Sequence, residues 1–325
     1  MPASLAVVGG RLATDLLDVT SDVAALDSEG FWVVVSTFEG SVTCARFGSV
    51  RPFAPREAEG WAPVSGWRSS MSRSAWDAGV HYVREAIAAG DVYQVNLTRR
   101  LSAVCGASSL FPLFLRVRAG APHAAYVSLP DVGLEIASAS PERFLRRDGS
   151  VVESQPIKGT AATRGGFLAK DRAENVMIVD LVRNDLGRVC EYGSVEVPAL
   201  CAVEAHPGLF HLVSTVRGTL RPDVGWGDLL RAAFPAGSVT GAPKLAALDV
   251  IAKLEPLPRG PYCGAIGWVD GAAGRGDLNV GIRTFWLDGG SLHFGTGGGI
   301  TWDSTPHGEW EETELKARRL VAAAS

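Results

Sequence analysis

Along residues 1–70 the chain alternates short apolar blocks with turn-forming residues. Phe31–Phe38 is an apolar run of strand length, and Val42–Phe47 answers it across Glu39-Gly40, which predicts a hairpin. Residues 48–70, rich in Pro, Gly, Ser and Arg, read as a connector. The period then changes. Trp76, Val80, Val83 and Ile87 recur at helical steps, Ser72 or Ser74 can cap their helix, and Gly90 can end it. A strand over 92–101 and a helix over Leu110–Val117 follow, and 122–154 reads as a meander of short strands. A long helix is predicted from Leu168 to Leu186. Strands are predicted at 193–198 and 211–220, and helices at 227–234 and 244–254. Cys263–Val269, Leu278–Leu287 and Leu292–Phe294 are strand-like between Gly-rich turns, and Glu309–Ala323 closes the chain as a helix. Many strands with helices inserted irregularly argue for an α+β fold rather than repeated βαβ units.

Composition narrows the class. The 325 residues are 46% hydrophobic and 20% charged, enough to build a core. A net charge of −4 gives no basic face, so nucleic acid is not an expected partner. Five cysteines (Cys44, Cys105, Cys190, Cys201, Cys263) are scattered without a CxxC, which fits neither a disulfide framework nor a zinc site and suits a reducing cytoplasm. The apolar patch Leu5–Val8 is too short for a signal-peptide core. No apolar run approaches the ~20 residues that span a bilayer. A cytoplasmic protein without a membrane partner is expected.

Two helices carry acids three residues apart, hence on one face: Asp171 with Glu174, and Glu309 with Glu312. Mg2+ takes oxygen ligands, commonly one or two carboxylates with waters. Glu174 stands directly before the apolar run Val176–Val179, close to a buried face, where an unpaired glutamate is costly. Solvated faces, or acids favoured by a helix N-terminus, remain the alternative. Lys158, in "QPIKGT", is either a turn charge or an amine nucleophile. Lys244, at the start of an apolar helix, reads as solvent-facing. Gly297-Gly298-Gly299 is either a backbone nest for an anion or a flexible turn. Glu142 reads as a turn acid and His211 as a core histidine. Nucleotide-binding glycine motifs and GxSxG are both missing.

Together "SPERF", "PIKGT", "DRAENVMIVDLVRNDLGRV", "HLVSTVRG", "AFPAGSVTGAPK", "YCGAIGW", "GIRTF", "GGGI" and "EETELKAR" resemble, in this order, the chorismate-utilising enzymes. That family includes anthranilate and aminodeoxychorismate synthase components I and the isochorismate and salicylate synthases. The resemblance runs from about residue 72 to the C-terminus, with residues 1–71 as a shortened N-terminal part of the fold. It implies two antiparallel sheets packed face to face with helices outside. It implies Mg2+ held by Glu174 and Glu312, with Asp171 and Glu309 holding its waters. Tyr262, Arg283, the amides of Gly298 and Gly299, and Lys316 would take one carboxylate of chorismate, while Thr240 and His211 line the ring. Glu142 matches the general acid for the C4 hydroxyl.

Two positions discriminate within the family. Members that activate water carry a lysine where this chain has Gln94, so an amine nucleophile is preferred. Anthranilate synthases usually read "PIAGT", aminodeoxychorismate synthases "PIKGT", and this chain has Lys158. The resemblance therefore implies amination at C4 through a covalent Lys158 intermediate. The alternatives are C2 amination with pyruvate loss, formation of 2-amino-2-deoxyisochorismate, or a non-catalytic chorismate-binding subunit. Cys105, in "AVCGAS", lacks the surroundings of a glutaminase nucleophile, so ammonia from a separate glutamine amidotransferase subunit is expected. The compressed N-terminal part makes a tryptophan site doubtful.

Overall fold

The computed structural model describes residues 3–55, 60–161, 163–206 and 209–325. Residues 56–59, within the predicted connector, lie outside the described residues. Six α-helices are described: α1 (Arg73–Ala89), α2 (Phe111–Val117), α3 (Ala169–Gly187), α4 (Trp226–Ala233), α5 (Lys244–Leu254) and α6 (Pro306–Ala324). The strands pair antiparallel throughout and form one continuous network of eighteen.

The network is folded into two layers that share the strand Arg11–Thr20. On one side of it follow Leu5–Val8, His123–Leu129, Leu134–Ser140, Thr284–Asp288, Ser291–Ile300 and Gln94–Val104. On the other follow Val42–Pro52, Phe31–Ser36, Ala265–Asp270, Arg275–Val280, Arg143–Asp148, Val151–Gln155 and Leu209–Thr219. Alternation along the strands explains the layering. Ala6, Val8, Ala125, Val127 and Ile136 enter the core shared with Val33, Leu145 and Leu278 of the second layer. Their neighbours Val7, Tyr126 and Ala137 enter a second core with Phe114 of α2 and Ala317 and Leu320 of α6. A period of two thus serves two cores at once. The face-to-face sheets with outer helices expected from the resemblance are present.

The predicted α1 is bounded as read: Ser72 accepts from Ala75 N–H and Gly90 takes a left-handed φ of 83°. Trp76, Val80 and Val83 bury against Val95, Leu97, Val250 and Ile251, each contributing about 1.5–3 kcal/mol. The predicted strand Leu278–Leu287 is in fact broken. Arg275–Val280 and Thr284–Asp288 are separate strands, and Arg283 between them has a φ of +54°, a region L-residues seldom adopt. Residues 1–71 are not peripheral: Arg11–Thr20 joins the layers, and Trp61 Nε1 donates to the Ala324 carbonyl at the end of α6.

Candidate active site

The spine of the site is the strand Ser291–Ile300. It pairs with Gln94–Val104 along its whole length but with Thr284–Asp288 only from Ser291 to Phe294. From Gly295 onward one edge has no neighbouring strand among the described residues. The Gly297-Gly298-Gly299 run is therefore extended strand, neither a nest nor a turn, and none of the three has a positive φ. The glycines permit close approach instead. A Cβ on Gly299 would stand 1.9 Å from Gln94 Nε2, and one on Gly298 would stand 3.0 Å from Glu309 Oε2. Side chains thus reach this strand on both faces: Gln94 on one, the acids of α6 on the other.

Helix α6 delivers Glu309, Glu312 and Lys316 at steps of three and four, one face of one helix. Lys316 Nζ lies 2.7 Å from Glu312 Oε1 and donates to the Gly297 carbonyl at 3.0 Å. Lys316, ahead of the opposing desolvation, holds the Glu312 carboxyl below its usual range. Glu309 is 8% exposed; its Oε1 accepts from Ser304 at 2.5 Å, while Oε2 has no hydrogen-bond partner among the described residues. Burial, with the Glu312 charge adding to it, raises its pKa. Helix α3 brings Glu174 to the same place. Burial raises its pKa, Lys158 and Lys170 oppose, and the charges of Glu312 and Asp171 reinforce. Asp171 has a further role: Oδ2 accepts from the Leu168 amide at 2.7 Å and closes the N-terminus of α3.

Among the described residues no three His, Cys, Asp or Glu side chains gather as a ready metal cage. Two mutually repelling carboxylates, Glu174 and Glu312, with a buried partnerless oxygen on Glu309, do fit a hydrated Mg2+, which asks for few protein ligands.

At the other end of the site Glu142 is 4% exposed, just after the strand Leu134–Ser140. Its main chain is pinned by Ser140 Oγ and by Val280 N–H, which donates to its carbonyl at 3.0 Å. Burial pushes the carboxyl up to about 7, against the Ser238 hydroxyl, the Lys158 ammonium, the Ile157 amide and Arg283. Lys158, on the strand Ile157–Ala161, donates to the Ser238 carbonyl at 3.2 Å. Burial lowers its amine pKa; Glu174, Glu142 and Glu312 resist, and Lys316 reinforces. Lys158 therefore lies electrostatically between the acid end and the carboxylate end. Arg283, whose pKa is lowered first by burial and then by Arg319, also senses Glu142.

The remaining predicted residues fall nearby in different ways. Gln94 is buried with Oε1 lacking a partner. The ring of Tyr262 packs over Gly295, with a Cβ there only 2.1 Å from its Cγ. Thr240 is buried and donates to the Ala236 carbonyl at 3.2 Å, while its own carbonyl accepts from Asn96. His211 is buried in register with Thr160, two residues beyond Lys158. Lys244 is not solvent-facing: Nζ meets Asp185 Oδ2 at 2.7 Å and the Ala233 carbonyl at 2.8 Å, a buried pair clamping α5 to α3 and α4. All five cysteines are free, and Cys105 is buried. Ser238, Lys170 and Arg319 were not anticipated. Lys170 carries a readable signal, one helical turn before Glu174; Ser238 carries none, because the residues that it meets, Lys158 and Glu142, lie some eighty or more positions away.

The model of the chorismate binding enzyme family matches residues 39–322. Aminodeoxychorismate synthase component 1 of Escherichia coli (strain K12) is 41% identical over 283 residues, covering 83% of this chain and 61% of that protein. Anthranilate synthase component 1 of Streptomyces coelicolor is 40% identical over 274 residues, 80% of this chain and 53% of that protein. The chain thus spans 61% of the length of the first of these relatives and 53% of the second. Anthranilate synthase component I from Streptococcus pneumoniae TIGR4 superposes with a TM-score of 0.84 at 24% identity, over 99% of this chain and 93% of that one. That likeness speaks to the fold. With the family model covering most of its length, the chain belongs to the chorismate binding enzyme family.

Proposed function

We propose that this chain aminates chorismate at C4 with ammonia, giving 4-amino-4-deoxychorismate, the precursor of p-aminobenzoate for folate synthesis. One observation carries this reading. A buried amine whose pKa is lowered (Lys158) and a buried carboxyl whose pKa is raised to about 7 (Glu142) lie close enough for each to sense the other's charge, with Lys158 on the Ser238 carbonyl. Such opposed tuning suits a nucleophile and a general acid working together near neutral pH. The names of the E. coli and Salmonella typhimurium relatives, aminodeoxychorismate synthase component 1, support the choice of product.

In this reading Lys158, as the neutral amine, forms a bond to C2 while the two conjugated ring double bonds shift and the C4–O bond breaks. Glu142 gives its proton to the departing hydroxyl, which leaves as water. Ammonia then bonds to C4, the double bonds return, and the Lys158 nitrogen leaves as the neutral amine. Bonding to C2 leaves the Lys158 nitrogen positively charged until it departs with the bonding electron pair; the charge then rests on the new C4 ammonium, which can return a proton to Glu142. Arg283 and Lys316 supply positive charge for a carboxylate, Arg283 with a planar fork. The unpaired edge from Gly295 offers the Gly298 and Gly299 amides. Glu174 and Glu312 would hold Mg2+, with Glu309 and Asp171 on its waters. When bound, that ion supplies positive charge for the ring carboxylate. Gln94, a neutral amide with a free acceptor, is not a base for water. A glutamine amidotransferase subunit would supply ammonia, as the words "component 1" in the relatives' names suggest. Among the described residues no helix is long and apolar enough to cross a membrane, and the cytoplasm is the proposed location.

The test is mass spectrometry of the product from purified chain, chorismate, Mg2+ and ammonium, with and without an aminodeoxychorismate lyase. A product that the lyase converts to p-aminobenzoate is expected. Anthranilate would overturn the C4 assignment, and no loss of chorismate would favour a binding subunit. Lys158→Ala at full amination rate would remove the covalent step alone.

A further inference from the structure

The three acids at the carboxylate end face three lysines. Glu312 senses Lys316, Lys170 and Lys158; Glu309 senses Lys316 and Lys170; Glu174 senses Lys158 and Lys170. One of these cations makes a direct contact. Lys316 Nζ sits 2.7 Å from Glu312 Oε1 and is steadied by the Gly297 carbonyl at 3.0 Å. The ammonium therefore takes up the carboxylate that a divalent cation would need, while Glu309 Oε2 is left buried without a partner. An ammonium and a hydrated dication compete for this carboxylate, because the two cations repel each other at such short range.

We propose that Lys316 is an internal counter-ion for the acid cluster, exchanged when the divalent cation binds and re-partnered by the substrate's second carboxylate. The inference rests on the metal and carboxylate assignments proposed above and adds a coupling between them. Binding of metal alone must break the Lys316–Glu312 contact and leave an ammonium facing a dication. Binding of the substrate alone gives Lys316 a new anionic partner and loosens its hold on Glu312. Each ligand therefore improves the site for the other, and by linkage the effect is reciprocal. The flexible four-carbon stem of lysine suits a move of this kind, and three rotatable N–H donors let it keep the Gly297 carbonyl throughout. Glu309, held by Ser304 at 2.5 Å, stays fixed while the exchange takes place beside it.

The experiment is isothermal titration of Mg2+ into the chain in ammonium-free buffer, with and without saturating chorismate, for wild type, Lys316→Gln and Lys170→Gln. Wild type should bind Mg2+ about tenfold or more tightly with chorismate present, within the usual range of such couplings. Lys316→Gln should bind Mg2+ alone about tenfold more tightly than wild type, and chorismate should improve it less than it improves wild type, the remainder coming from the ring carboxylate on the ion. Lys170→Gln, which removes a facing charge but no contact, should gain less and keep the coupling. Two results overturn the exchange while leaving the metal site standing: unchanged or weaker Mg2+ binding by Lys316→Gln, or a coupling in it as large as in wild type. Equal gains in both variants with coupling retained would reduce the effect to general charge and also overturn it. No Mg2+ binding to wild type even with chorismate would remove the metal assignment, and the exchange with it.

Discussion

Two glutamates at opposite ends of one site are tuned in opposite directions. Glu142 is sealed behind the strand Leu134–Ser140, and loss of water raises its carboxyl to about 7 despite Lys158 and Arg283. Glu312 stands half-open on α6, where contact with Lys316 outweighs desolvation and lowers its pKa. The same side chain thus holds its proton more tightly in one place and less tightly in the other. Burial acts on the charged form of a group wherever it sits, while an ion pair acts only where a partner reaches it. A site that needs a proton donor and a cation ligand a short way apart can use the first device for one and the second for the other.

The largest effect is expected at the buried end. Glu142→Gln should lower the amination kcat by about 10²–10⁴-fold, the usual worth of a general acid, with little change in chorismate binding by calorimetry. A variant within about tenfold of wild type would show that burial there serves packing rather than proton donation.

A third pair lies between these extremes. Asp185 and Lys244 are both buried; burial raises the one pKa and lowers the other, and each opposes that in its partner. Lys244→Ala leaves Asp185 uncompensated and should cost about 3–5 kcal/mol in urea unfolding, whereas an apolar pair at both positions should cost far less. Equal losses for the single and paired variants would mean that the lysine's packing, not its charge, holds α5.

The Glu142 shift also predicts how stability depends on pH. Its folded pKa, about 7, lies above the ordinary glutamate value of 4.5, so the folded chain binds this proton more tightly. The stability it contributes is complete below pH about 4.5 and is lost as pH rises through about 7. Relative to wild type, Glu142→Gln should therefore gain stability across that window, by up to ~3 kcal/mol. Urea midpoints at pH 5 and pH 8 measure it, and a difference that does not grow with pH would argue against a desolvated acid. The kcat of wild type at constant free ammonia should correspondingly fall above pH about 7.

The smallest change separates the two ends. A Cβ at Gly298 would meet Glu309 Oε2 at 3.0 Å and Glu312 Oε1 at 3.7 Å, both on the carboxylate face. Gly298→Ala should weaken Mg2+ binding by about 1 kcal/mol, roughly fivefold. The pH limb assigned to Glu142 should stay where it is. Movement of that limb would mean that the two ends are not tuned independently.

Much of this was legible before the fold. The i,i+3 acids and Lys316 share a face of α6 because helical spacing puts them there, and Ser72 and Gly90 bound α1 as their capping chemistry requires. The motif order pointed to the family, and the model of that family covers residues 39–322. Other readings failed where the cause was not local. Lys244 looked solvent-facing because Asp185, its partner, lies fifty-nine positions away on another helix. The glycine run read as a nest or a turn, not as strand, because nothing in it reveals that Gln94 and Glu309 press against it from two sides. The break at Arg283 was invisible because β-pattern residues continue through it, and only the pairing of Thr284–Asp288 with Leu134–Ser140 forces the left-handed residue.

By itself the sequence determined which helix faces carry charge, where helices begin and end, and the family to which the ordered motifs belong, since these depend on spacing and residue type within short windows. Only the tertiary structure decided which carboxyl has its pKa raised and which has it lowered. Protonation depends on how much water is excluded and which charge stands within reach, and both are fixed by residues distant in the chain that folding brings together.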